Sequence, residues 1–497
     1  MATYNSRSSG ILLHPTSLPG PEGIGTLGPE ALEFVEFLHA SGQGLWQTLP
    51  LGPTGFADSP YQCFSAFAGN PLIISLERLV EDGLLTDRDV RPGKHANRVD
   101  YGTLIGEKRR RLARAYEAFE SDANHEQRTA FDTFIERESE WLQDYALFAA
   151  LKERYRQHPW WQWRRSARLR THLEELRGDH HASIRAHAFC QYLFFSQWEM
   201  VKRCANAFGI RIIGDLPLYI AEDSADLWSD GPVFQVDEHR RPTHVAGVPP
   251  DFFVPTGQRW GNPVYDWSHA RETEFAWWVR RLRANLKLYD VLRIDHFRGL
   301  EAYWSVDAKH ATAEQGTWVN APGEELLEVL QRELGMLPLI AEDLGDITEA
   351  VTHMRDTFNI PGMKVLQYAF ENDGNNGYLP HHHDRNFVVY TGTHDNDTLT
   401  AWRDQLDADS RARVKCYVGS SVDESVWPLI RCAWTSVANM AIAPMQDVLG
   451  HGTESRMNLP GTTEGNWRWR CAPDDFSESL SARLHELTAI SGRLPLS

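Results

Sequence analysis

The chain has 497 residues, 42% hydrophobic and 24% charged, which is ordinary for a globular protein and enough for a large core. Fifty Lys and Arg against 68 Asp and Glu leave a net charge of −18, so the surface repels polyanions and a nucleic-acid partner is not expected, while a neutral ligand such as a sugar stays open. No apolar run approaches the roughly 20 residues that cross a bilayer, and MATYNSRSSG lacks the apolar stretch of a secretory signal, so a cytoplasmic protein without a membrane partner is expected.

Short runs rich in Val, Ile and Leu recur along the chain, each bounded by turn-forming residues, which is how a fully buried strand reads. In order they are GILLH (10–14), LWQTLPLG (45–52), IRIIGDLP (210–217), YDVLRIDHF (289–297), LPLIAEDLG (337–345), MKVLQYAF (363–370), NFVVYTGTHDN (386–396) and MAIAPMQDVLG (440–450). Amphipathic stretches such as 29–42, 276–289 and 323–335 separate several of them. Strands alternating with helices imply a parallel sheet, and eight strands imply an α/β fold of the (β/α)8 TIM-barrel type.

One catalytic barrel is expected to span 1–497, with two interruptions. Residues 60–185, after the second strand, predict a mainly helical insertion, and its charged block at 106–155 reads as a solvated helix face. Residues 218–270, after the third strand, are rich in Pro, Gly, Trp and Asp and predict a long functional loop over the barrel mouth. Too few residues follow the last strand for a separate C-terminal β-sandwich.

Four acids fall at the C-terminal ends of predicted strands: Asp215, Asp295, Glu342 and Asp395. Functional residues of such barrels lie at those ends. A carboxylate there is costly unless compensated, so its recurrence on four strands points to one acidic site rather than a structural ion-pair network. Arg293 sits two residues before Asp295, hence on the same strand face, and should hold Asp295 ionised. Glu342, near other carboxylates, is expected to keep its proton and serve as general acid. Asp395, with His394 beside it, could bind sugar hydroxyls. Asp343 should point away from Glu342 into a structural bond.

Eighteen Trp are present, and Trp46, Trp228, Trp260, Trp267, Trp467 and Trp469 sit in Gly/Pro-rich surroundings, where aromatic faces would suit the CH-bearing face of a pyranose. The six cysteines (Cys63, Cys190, Cys204, Cys416, Cys432, Cys471) form no CxxC pair and no zinc spacing, and read as reduced thiols. His381–His383 and His180–His181 lack metal-site partners, and GPTG (52–55) lacks a P-loop lysine, so no metal is expected.

The residues alone do not say glycoside rather than phosphate or ester. The segments GILLHPTSLPG (10–20), DSPYQCFSAFAGNP (58–71), GDLPLYIAEDSADLWSD (214–230), GVPPDFFVPTGQRWGNPVYDW (247–267), RIDHFRG (293–299), AEDLG (341–345), TGTHDNDT (391–398) and RMNLPGTTEGNWRWR (456–470) resemble those of the 4-α-glucanotransferases (amylomaltases, disproportionating enzymes) of glycoside hydrolase family 77. The likeness runs from about residue 9 to residue 495, in family order.

That resemblance implies transfer of an α-1,4-glucan segment to the 4-hydroxyl of another glucan or of glucose, with retention, no cofactor, and maltooligosaccharides or amylose as partners. It implies Asp295 as nucleophile, Glu342 as general acid/base and Asp395 as transition-state stabiliser. Tyr61, Asp215, Arg293 and His394 match positions around the reacting glucose. Asp251, Gln258 and Trp260 match an acceptor-side lid, Ser59 and Asn466 match donor-side positions, and Tyr101 matches an aromatic of an outer glucan groove. An aromatic lid (Phe252, Phe253, Trp260) that excludes water would favour transfer over hydrolysis. An α-amylase-type hydrolase and a non-catalytic glucan-binding protein are the alternatives, and either a monomer or a homodimer is compatible with the sequence.

Overall fold

The computed structural model describes residues 6–90, 97–250, 254–371 and 374–495. All eight predicted strands form: β1 (Ser8–Leu12), β2 (Leu45–Gln47), β3 (Arg211–Pro217), β6 (Val291–Asp295), β9 (Leu339–Ala341), β10 (Gly362–Val365), β11 (Phe387–Tyr390) and β12 (Met440–Pro444). They pair in parallel in the order β10-β11-β12-β1-β2-β3-β6-β9. The two end strands approach each other at a seam, where Ala341 N–H donates to Pro361 O at 2.8 Å, so the sheet curls into a nearly closed barrel. Parallel strands covered on both faces carry continuous apolar runs rather than alternation, and β1, β9, β11 and β12 are buried throughout.

Close packing inside the barrel demands small residues at particular places. A Cβ on Gly214 in β3 would lie 2.3 Å from the Tyr289 ring, which leaves glycine beside Asp215 as the residue that fits. The register then follows. Asp215 faces Arg293 across β3 and β6. Ile294 faces Ala341 across β6 and β9, and the ladder continues with Glu342 N–H donating to Ile294 O at 3.0 Å and Phe297 N–H to Glu342 O at 3.1 Å. Asp295 and Glu342 are therefore the next opposed pair.

Between β2 and β3 the chain builds long helices, Tyr101–Asp122, His125–Arg137, Ser139–Arg154 and His181–Ala207. Aromatic contacts such as Phe119–Phe189 (4.6 Å) and Phe131–Tyr192 (5.6 Å) join them. The second interruption differs from the expected loop. It contains β4 (His244–Val248) and β5 (Gln258–Pro263), which join β7 (Ala302–Asp307) and β8 (Gly316–Asn320) in a four-stranded antiparallel sheet ordered β5-β4-β7-β8. The outer strand β8 has no buried residue and β5 is exposed at its start, so their sequences carry little apolar signal, and β4 meets β7 only through long-range pairing. After β12 the described residues form helices and turns and no further strand of either sheet.

Candidate active site

The four acids gather at the C-terminal end of the barrel, and Arg293 joins two of them, Asp215 and Asp295. Its Nη1 lies 2.8 and 2.7 Å from the two oxygens of Asp215 and 3.0 Å from Asp295 Oδ1. Its Nε faces Met363 Sδ at 3.3 Å. Burial works against the guanidinium charge, but Asp215 and then Asp295 outweigh it and push Arg293 well above its usual range. The spacing of two along β6 explains the contact with Asp295, and register explains that with Asp215. Asp215 has a fully buried side chain, and Tyr61 Oη also donates to its Oδ2 at 2.8 Å. Its oxygens face protein donors, so it acts on the mouth through Arg293 and Tyr61.

Glu342 lies immediately beyond β9. Its Oε2 accepts from His296 N–H at 2.7 Å and its Oε1 from Leu344 N–H at 3.1 Å. His296 directly follows Asp295 and sits at φ 55°, left-handed, a conformation that costs a non-glycine residue of order 1 kcal/mol. That turn aims its N–H at the neighbouring carboxylate. Burial, above all, pushes the Glu342 carboxyl up to about 7; the Asp295 charge adds to the rise and Arg293 opposes it. Like-charged neighbours, the cause expected from the sequence, are thus the lesser contribution. Asp343 points the other way, as strand alternation predicts, accepting from Arg355 Nη1 at 2.5 Å and Met363 N–H at 2.7 Å.

Asp395 belongs to the loop after β11. Its Oδ1 accepts from Asn458 Nδ2 at 2.6 Å and lies 3.4 Å from His394 Nε2, while its backbone carbonyl accepts from Arg456 Nη2 at 2.6 Å. His394 stacks on Tyr61 (5.0 Å, 14° between planes), and Trp467 leans on both rings at 5.9 Å. The mouth therefore joins Tyr61, His394 and the three acids into one surface.

The remaining predicted residues are placed less directly. Ser59 Oγ accepts from Tyr61 N–H at 3.2 Å and so orients Tyr61. Asn466 is buried and braces its own loop, accepting from Leu459 N–H at 3.0 Å and donating to Thr462 O at 3.1 Å. Gln258 and Trp260 sit on β5, where Trp260 Nε1 donates to Gln258 Oε1 at 3.2 Å and the indole meets His296 edge-on at 4.8 Å. Asp251, Phe252 and Phe253 lie outside the described residues.

Tyr101 departs from the outer-groove expectation. It is 2% exposed and its hydroxyl donates to Trp467 O at 2.9 Å, so it braces the Trp467 backbone from within. The tryptophans shift in the same direction. Trp46 and Trp228 are fully buried, and Trp267, Trp467 and Trp469 nearly so, which leaves Trp260 as the partly open one of the six. Trp46 is in fact a β2 residue whose Nε1 donates to Leu13 O. Sequence position in a Gly/Pro-rich stretch does not separate packing aromatics from those lining a mouth.

Sequence reasoning did not single out Asn458, Arg456, His296 or Met363. Asn458 and Arg456 lie in RMNLPG, a segment already recognisable, but nothing local says that they fold back onto Asp395, 63 and 61 residues earlier. Among the described residues no group of His, Cys, Asp and Glu is arranged to hold a metal ion, and no helix is long and apolar enough to cross a membrane. All six cysteines are free.

Comparison with known proteins agrees with this geometry. A profile of the family described as 4-alpha-glucanotransferase matches residues 13–475. The 4-alpha-glucanotransferase of Thermus thermophilus is 48% identical over 498 residues, covering 98% of this chain and 99% of that protein. That of Synechocystis is 48% identical over 497 residues, 98% of each. The amylomaltase of Streptococcus agalactiae, solved in complex with acarbose, superimposes with a TM-score of 0.95 at 38% identity, covering 98% of this chain and all of that one.

Proposed function

Because the chain belongs to the 4-alpha-glucanotransferase family, glycoside hydrolase family 77, and is a transferase of that kind, we propose that it moves a segment of an α-1,4-glucan to the 4-hydroxyl of another glucan, or of glucose, by a retaining double displacement. The relative solved in complex with acarbose supports an oligosaccharide-like ligand for this chain. The observation that carries the mechanism is the opposition of Asp295 and Glu342 across β6 and β9. Neighbouring strands lie about 4.8 Å apart, which suits the roughly 5–5.5 Å between carboxyls of a retaining pair and not the ~6.5–9.5 Å of an inverting one.

In the first half-reaction an Asp295 oxygen attacks the anomeric carbon of the donor glucose. The bond from that carbon to the glycosidic oxygen breaks, and the Glu342 proton passes to the departing oxygen. In the second half the acceptor's 4-hydroxyl gives its proton to Glu342 and bonds to the same carbon, and the ester to Asp295 breaks. Two inversions give retention. Arg293 Nη1 holds Asp295 Oδ1 at 3.0 Å and so positions the carboxylate for the attack, and burial keeps Glu342 proton-loaded near neutral pH. Asp395 grips hydroxyls of the distorted ring while His394 and Tyr61 flank it. Ser59 and Asn466 shape the donor side by holding Tyr61 and the 459–466 loop.

The stretch 218–270, with Gln258 and Trp260 on β5, forms the acceptor-side lid in this reading. Excluding water there lets a sugar hydroxyl outcompete hydrolysis. Maltotriose incubated with the protein should yield glucose and longer maltodextrins, whereas glucose and maltose alone, with reducing ends rising steadily, would mean a hydrolase. Asp295→Asn should abolish turnover and spare glucan binding. A fluorinated donor sugar that forms the ester quickly and releases it slowly should add its glycosyl mass to the peptide bearing Asp295. An unmodified peptide with turnover intact would remove the covalent intermediate.

A further inference from the structure

The hydrogen bonds around Asp395 treat its two oxygens differently. Oδ1 receives Asn458 Nδ2 at 2.6 Å and faces His394 Nε2 at 3.4 Å. Oδ2 makes no hydrogen bond to any described residue, and the side chain is 45% exposed toward the mouth. One oxygen is anchored to the protein and the other is presented to whatever occupies the barrel mouth.

Asn458 is itself held in place through its backbone. Its backbone N–H donates to His394 O at 3.1 Å, its backbone carbonyl accepts from Arg456 Nε at 2.8 Å, and the same Arg456 reaches the Asp395 carbonyl through Nη2. The donor is thus fixed before a ligand arrives, as a positioned contact requires if it is not to spend binding energy on ordering itself. The strap 456–458 follows β12, whereas Asp395 follows β11, so the contact joins two barrel loops that share no local sequence.

We propose that Asn458 is a positioning residue for the transfer reaction: its amide fixes Oδ1 of Asp395 so that Oδ2 alone meets the hydroxyls of the reacting glucose. The inference rests on the glucanotransferase reading and deepens the part assigned to Asp395. Asn458 does not touch the sugar; it sets the rotamer of the group that does. Because Asp395 grips the ring most strongly when it is distorted, loss of the anchor acts on kcat more than on KM.

The test compares full-length wild type, Asn458→Ala and Asn458→Asp in maltotriose disproportionation, with thermal midpoints and acarbose affinity measured alongside. Every variant keeps the backbone bonds to His394 and Arg456, so the fold should survive. Asn458→Ala should lower kcat by roughly ten- to a hundredfold, the scale of a misplaced catalytic group, with KM changed less than about threefold. Asn458→Asp, equal in size but aiming an oxygen at Oδ1, should be at least as impaired as Asn458→Ala. A role in packing alone predicts the reverse order, with the isosteric variant milder, and that order would overturn the proposal. Equal activity of Asn458→Ala and wild type would overturn it as well. An inactive wild type would instead refute the glucanotransferase reading, and this inference with it. If a variant unfolds, its loss of activity is set aside and the folded variant decides: lowered kcat with KM changed less than about threefold supports the proposal, and a raised KM with kcat unchanged rejects it.

Discussion

Arg293 and Asp215 form a buried pair inside the barrel, 2.7 Å apart, with side chains 5% and 0% exposed, and the same guanidinium nitrogen continues to Asp295 at 3.0 Å. The carboxylate proposed as nucleophile is thus held by an arginine that another, deeper carboxylate has already fixed. Breaking a buried pair by removing one partner strands the other charge, at a cost of about 3–5 kcal/mol. Arg293→Ala should therefore lower unfolding stability by that order in urea titration and also remove nearly all turnover. Arg293→Lys, whose ammonium lacks the planar fork, should lose activity too. Full activity in the lysine variant would show that charge alone suffices.

In the proposed mechanism Glu342 should set the alkaline side of the pH profile. Its carboxyl, pushed up to about 7 chiefly by burial, is protonated below that value and can donate; above it the proton is gone and the first half-reaction slows. The rate kcat/KM should accordingly fall as pH rises through about 7. Glu342→Gln, unable to transfer a proton, should lose about two to four orders of magnitude. If the alkaline limb stayed where it is in a variant that retains activity without a carboxyl at 342, another group would own it.

Trp260 meets His296, the residue after Asp295, edge-on at 4.8 Å, and is proposed to cover the acceptor side. Trp260→Ala should admit water and raise the ratio of reducing-end release to disproportionation product several-fold, read by chromatography with maltotriose. An unchanged ratio would assign water exclusion to other residues of the lid.

Asp447 braces the loop that carries His394 and Asp395. Its Oδ2 accepts from Thr391 Oγ1 and its Oδ1 from Leu399 N–H, both at 2.7 Å, and it is 1% exposed. Burial raises its carboxyl to about 6. Below about 4 both folded and unfolded chains hold the proton and there is no penalty. As pH rises from about 4 to 6 the unfolded chain ionises first, and the folded state loses about 3 kcal/mol relative to it. Asp447→Asn can keep both contacts, because the threonine hydroxyl accepts as readily as it donates. The variant's thermal midpoint should match wild type near pH 4 and exceed it by a growing margin up to about pH 6, then by a constant one. A gap independent of pH would mean that Asp447 does not titrate in this range.

The barrel was legible because its signal is local. A buried parallel strand must be apolar on both faces, so VLRID, LIA and FVVY announce themselves without reference to their neighbours. The acids were legible because a charge closing such a run is anomalous. The antiparallel sheet was not, since β5 and β8 are its edges with little apolar signal, and its central pairing, β4 with β7, joins segments far apart in the chain. Nor could composition tell Trp46, a core residue, from Trp260.

By itself, then, the sequence determined which barrel strands form, that they close a barrel, and which carboxylates lie at their C-terminal ends, because each follows from the polarity of a few adjacent residues. Only the tertiary structure decided how those carboxylates differ. Burial, more than neighbouring charge, loads Glu342; Asp215 binds Arg293 rather than facing the mouth; and Asn458 anchors one oxygen of Asp395 from another loop. These depend on desolvation and on contacts between distant segments, and no window of sequence contains either.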